Sequence, residues 1–156
     1  MSIPLLRQYP GLMPIEGDLF RGWVALHGQD YDWADFNVRV GPGLDPGSTW
    51  TDSQRANAIK NTQYRIDAVA WLSGRPTLIE VKDRAGTSAL GALLAYAHLF
   101  RDAYPDYPAP SLLLVTNLLQ PNILDPIVAH GIEIAIVNPL TAANMPSGSA
   151  IAISTP

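Results

Sequence analysis

The sequence predicts an α/β domain in which a mixed central β-sheet is flanked by helices. Three observations point to it. Helical and strand-like segments follow one another in the order α, β, β, β, α, β, α, β. The run Leu112-Leu113-Leu114-Val115 is continuously apolar, as in a strand buried on both faces. The 156 residues are 47% apolar and 15% charged, which supplies one real core and excludes a solvated, disordered chain.

Each element has its own signal. Residues 1–14 carry a single charge, Arg7, and read as an extended arm punctuated by Pro4, Pro10 and Gly11. Residues 16–27 place Leu19, Phe20, Trp23, Val24 and Leu26 near helical spacing, with Pro14 ahead and Gly28 behind; Gly17 and Gly22 count against that helix. Phe36-Asn37-Val38-Arg39-Val40 alternates as a strand and stops at Gly41-Pro42-Gly43. A loop then runs to Asp52, and the polar stretch to Asn61 is expected to hold a helical turn. Residues 64–72 and 77–82 are two strands joined at Ser73-Gly74-Arg75-Pro76, a hairpin. Thr87 or Ser88 can cap the next helix, whose core face is Leu90, Leu93, Leu94, Ala97 and Phe100. Pro105, Pro108 and Pro110 end it. After the strand at 112–115 come a short helix at 121–130, stopped by Gly131, and a last strand at 132–137. The domain thus spans 15–138. Residues 139–156 form an uncharged C-terminal arm, with strand character at 150–153, expected to lie against its own domain or a neighbour.

Composition excludes several function classes. With no Cys there is no disulfide, thiol nucleophile or thiolate zinc site. No stretch of eighteen apolar residues is present to span a membrane, and the N-terminus lacks the basic flank of a signal peptide. A cytoplasmic protein is the expectation. Neither a phosphate loop nor a Gly-x-Ser-x-Gly nucleophile elbow occurs. His27, His98 and His130 lack metal-ligand spacing, and Asp30, Asp32 and Asp35 lack calcium-loop spacing. Net charge is −4, which argues against a general nucleic-acid coat. Yet residues 53–84 hold Arg55, Lys60, Arg65, Arg75, Lys82 and Arg84 against three acids. Lys60, Arg65 and Arg84 are the candidates for tracking a phosphate backbone.

Two of those acids belong to the chemical motif. Asp67, Glu80 and Lys82 form Asp-x12-Glu-x-Lys across the hairpin. Glu80 and Lys82, two apart on a strand, share a face. A loop centred on Ser73-Gly74 sets Asp67 opposite Glu80; one centred on Gly74-Arg75 sets it opposite Lys82. Either register is expected to bring all three side chains to one face, with opposed Cβ atoms about 5 Å apart. Two carboxylates so placed repel unless a cation lies between them, and Mg²⁺, with its hard oxygen ligands, suits that role. Mn²⁺ is the alternative. Lys82, an ammonium beside both, is assigned to transition-state stabilisation. The bland alternative is a cross-strand ion pair between Asp67 and Lys82 on a solvated face.

Tyr64-Arg65-Ile66-Asp67-Ala68-Val69, Leu78-Ile79-Glu80-Val81-Lys82 and the helix from Ser88 resemble the core of the PD-(D/E)XK nucleases. The resemblance covers roughly residues 15–138 and implies a restriction-endonuclease-like αβββαβ core. It implies Asp67 and Glu80 as metal ligands, Lys82 as the catalytic lysine, and an acid from the first helix, for which Glu16 matches best and Asp18 competes. The helix after the lysine strand offers Ser88, Tyr96, His98 and Arg101 as polar groups. A Mg²⁺-dependent DNA phosphodiesterase is the first expectation. The second is an adaptor within a large assembly, such as a phage virion head-completion, neck or connector protein. There the arms at 1–14 and 139–156 would contact neighbouring subunits or further copies of the chain.

Overall fold

The computed structural model describes residues 1–146. The predicted strand at 150–153 lies outside them. The elements are α1 (Pro14–His27), β1 (Trp33–Val40), α2 (Asp52–Thr62), β2 (Tyr64–Leu72), β3 (Arg75–Ala85), α3 (Thr87–Ala103), β4 (Ser111–Leu119), α4 (Leu124–Ala129) and β5 (Ile132–Ile136). The strands form one sheet in the order β1-β2-β3-β4-β5. Pairing is antiparallel from β1 to β3 and parallel from β3 to β5. This is the expected mixed α/β sheet, with one helix, α2, added to the expected order between β1 and β2.

The apolar residues divide by face. Ile66, Val69, Leu78, Leu112 and Leu114 pack under α3 and α4 with Leu93, Phe100 and Ile127. Ala68, Ala70, Ile79, Val81, Leu113 and Val115 pack against α1 with Leu19, Phe20, Trp23 and Val24. The run at 112–115 is buried on both faces, as its composition requires.

The N-terminal arm folds onto this second face. Ile3, Leu6 and Tyr9 are buried there. Arg21, 2% exposed on α1, clasps it: Nε donates to the Leu6 carbonyl at 2.8 Å and Nη2 to that of Arg7 at 2.6 Å. Nη1 reaches the Leu140 carbonyl at 2.7 Å and Asp18 at 2.8 Å, so one side chain ties both arms to α1. Gly22 has a matching reason to lack a side chain. A Cβ there would collide with the Asn138 carbonyl oxygen, so the chain leaving β5 lies against bare helix backbone.

Three local readings are corrected. The polar stretch after Asp52 is a helix of 11 residues. Thr51 and Gln54 cap it reciprocally, at 3.2 and 3.0 Å, and none of its residues is buried, so apolar periodicity could not reveal it. On α3 the buried positions are Ala89, Leu93, Tyr96 and Phe100, while Leu94 is 37% exposed. The stripe includes a tyrosine because its hydroxyl faces a polar centre. Gly86 occupies the N-cap of α3, and neither Thr87 nor Ser88 caps it.

Candidate functional site

The hairpin sets the site. Leu72 pairs with Arg75 across the two-residue turn Ser73-Gly74, both with positive φ (49° and 75°), the conformation that matches strand twist. This is the register that brings Asp67 opposite Glu80. The ladder, however, stops one pair short, at Ala68 and Ile79. It also skips one pair between β1 and β2, at Asn37 and Asp67, where Asn37 adopts φ 53°.

That irregularity changes the alternation. Ile66 and Val69 both pack on the α3 face, although three positions apart, whereas Ala68 and Ala70 face α1. The Asp67 side chain therefore leaves the simple pattern that would have put all three groups on one face. Its carboxylate reaches sideways to β3 and accepts the Val81 N–H at 2.8 Å.

Glu80 is 4% exposed. Its Oε1 lies 3.4 Å from the Lys82 ammonium, and its Oε2 is buried with no hydrogen-bond partner. Lys82 is 37% exposed, so it stands between the buried carboxylate and solvent. The pair is thus Glu80 with Lys82, inside the protein, and not Asp67 with Lys82 on a wetted face. Burial pushes Asp67 up from 3.8 to about 7, and the Glu80 and Glu16 charges add to it. Burial likewise raises Glu80, with Lys82 and the Tyr96 hydroxyl pulling the other way. Tyr96 holds its own proton more firmly because it is buried beside both carboxylates.

Glu16 stands at the start of α1, where its Oε2 accepts the Met13 N–H at 3.3 Å. Its charge is felt by both Asp67 and Glu80. Its competitor Asp18 is engaged by Arg21. Among the described residues no three carboxylates or imidazoles converge as a ready-made metal cage. Asp67 and Glu80 are brought together, with Glu16 acting on them from α1.

Lys60, Arg65 and Arg84 are exposed, and their side chains make no hydrogen bond or ion pair among the described residues. Arg55, by contrast, is bound by Asp45 at 2.6 Å. The acidic cluster is structural: Asp32 accepts the Ser73 N–H at 2.8 Å, Asp35 the Trp71 indole at 3.0 Å, and Asp30 faces His27 at 3.3 Å. His98, 77% exposed, meets Asp102 at 3.4 Å. Tyr96, one of the polar groups the sequence offers on α3, is the one beside Glu80, although the motif gives it no role. Its position seven residues after Ala89 and four before Phe100, on the buried stripe, is the signal that would have found it.

No family model and no curated protein matches the sequence. Among solved structures, the crystal structure of AF1548, a protein of unknown function, is similar at a TM-score of 0.39 and 17% identity. The similarity covers 74% of this chain and 56% of that one. Among the described residues no helix is long and apolar enough to cross a membrane.

Proposed function

We propose that this chain is a metal-dependent phosphodiesterase of the PD-(D/E)XK type, acting on DNA. One observation carries the reading: two carboxylates from adjacent strands are brought together, Asp67 partly buried and Glu80 buried, and one oxygen, Glu80 Oε2, has no hydrogen-bond partner. A buried acceptor without a donor is costly, and two neighbouring carboxylates more so. A divalent cation removes both costs. The donor set suits Mg²⁺ or Mn²⁺, because Mg²⁺ commonly takes one or two protein carboxylates and leaves its other positions to water and phosphate.

Asp67 and Glu80 are the ligands in this reading, and Glu16 adds negative potential from the helix start. What the metal supplies when bound is Lewis-acid polarisation of a phosphoryl oxygen and an activated water. The chain's own groups do the rest. Val81 N–H fixes the Asp67 carboxylate, and Tyr96 presses against Glu80 from α3. Lys82, half in solvent and 3.4 Å from Glu80, meets the scissile phosphate and stabilises the charge that builds on it.

The test is cleavage of mixed DNA substrates with Mg²⁺ or Mn²⁺, wild type against Lys82→Ala. Wild-type cleavage reduced about 100-fold or more in the variant supports the reading. A folded, metal-supplied wild type that cleaves nothing sinks it.

The second reading, a subunit of a large assembly such as a phage virion, draws on β5. It is the last strand of the sheet among the described residues, and its Ile136 is 63% exposed. Residues 1–14 lend this reading little, since Ile3, Leu6 and Tyr9 lie in the chain's own core.

A further inference from the structure

Two arginines oppose one another on the strand pair that carries Asp67. Arg39 of β1 is the cross-strand partner of Arg65 of β2. Directly opposed residues have Cβ atoms about 4.5–5.5 Å apart, and like charges so placed destabilise a sheet. Neither guanidinium can shed its charge.

Both side chains project from the same face. Val38 and Val40 flank Arg39 and pack on the α3 side, so Arg39 points to the other. Ile66 packs on the α3 side as well, and Tyr64 stacks its ring edge-on to Tyr96 of α3, which turns Arg65 the same way as Arg39. No acid answers them: neither arginine has an ion pair among the described residues. The Arg39 Nε is buried with no hydrogen-bond partner, while Arg65 is exposed. A pair of forks, one partly buried and one open to solvent, both lacking a counter-charge among the described residues, suits an oxyanion.

We infer that Arg39 and Arg65 together bind a backbone phosphate of a nucleic-acid strand. The choice of a phosphodiester rests on the nuclease reading of the neighbouring carboxylates. Arg65 is two residues from Asp67, about 7 Å along the strand, and projects from the face opposite to Glu80 and Lys82, so a phosphate held by the arginines flanks the site on its α1 side. The pair anchors the nucleic-acid strand and takes no part in breaking the bond.

The experiment measures anisotropy of a short fluorescein-labelled DNA duplex in chelator, so that binding is read without cleavage, across a salt titration. Arg65→Gln and Arg39→Gln are compared with Arg75→Gln, an exposed arginine at the hairpin end of the neighbouring pair β2–β3. About tenfold weaker binding in either site variant is expected. So is a slope of log K against log salt flatter by about 0.9, the signature of one lost phosphate contact. Arg75→Gln keeps the wild-type slope. Arg65 is exposed, so its variant remains informative even where Arg39→Gln folds poorly. Unchanged binding in Arg65→Gln overturns the inference, as does an equal loss in Arg75→Gln, which means diffuse attraction only. A wild type that binds no DNA overturns it too. The nuclease reading stands or falls separately, on Lys82→Ala in the cleavage assay. Cleavage that depends on Lys82 together with unaltered Arg65→Gln binding removes the arginine site and leaves the enzyme. Arginine-dependent binding without cleavage does the reverse.

Discussion

Asp67 is the residue whose state the fold changes most. Held near 7 by burial and by the Glu80 charge, it keeps its proton in the folded chain over a range where the unfolded chain, at about 3.8, has lost it. The native state therefore binds more protons between those values, and stability falls as pH rises through the window. The contribution is complete below about pH 4 and gone above about pH 7. Glu80 shifts in the same direction and adds to the slope. Thermal unfolding in chelator is expected to show a melting temperature several degrees lower at pH 8 than at pH 5, with Asp67→Asn removing much of that difference. An identical pH slope in the variant would show that the buried pair does not set it.

At the scale of elements, α1 works as a bracket. Its one buried cation holds the carbonyls of Leu6, Arg7 and Leu140, and its glycine at position 22 lets the chain after β5 pass close by. Arg21→Met removes the donors and leaves three acceptors to find water or go unsatisfied. A loss of about 2–4 kcal/mol in denaturant-measured stability is expected, with faster hydrogen exchange at the Ile3 amide, which donates to the Gly28 carbonyl. A change below about 0.5 kcal/mol would mean that apolar burial of Ile3, Leu6 and Tyr9 holds the arm unaided. The bracket matters to the site because the same helix begins with Glu16, so its seating sets the potential at Asp67 and Glu80.

Above about pH 7 the molecule without metal is poised against itself, since Asp67 and Glu80 are then neighbouring charges and one buried acceptor is unpaired. A ligand that binds only the folded state adds RT ln(1 + [L]/Kd), about 2.7 kcal/mol at a hundredfold excess over Kd. At pH 8, saturating Mg²⁺ or Mn²⁺ is then expected to raise the melting temperature by about 5–11 °C. Glu80→Gln should abolish most of that rise. An equal rise in the variant would place the stabilising ion elsewhere.

The sequence by itself determined the order of the strands and of the helices that pack on them, the hairpin at 64–82, and the strand at 112–115. Each is encoded in the side chains of one contiguous segment, as a period, a turn pair or a continuous apolar run. It also put Glu80 and Lys82 on one face of their strand, while leaving two hairpin registers open for Asp67. Helix α2 escaped because no face of it is buried, although the Thr51-to-Gln54 cap was there to be read. Only the tertiary structure decided the rest. The break in alternation at Asp67 needs Asn37 on another strand, Tyr96 joins the site through the packing of α3 on the sheet, and Arg39 meets Arg65 through the register of β1 on β2. In each case the partner lies many residues away, and a local pattern records which face a side chain takes but not what it will find there.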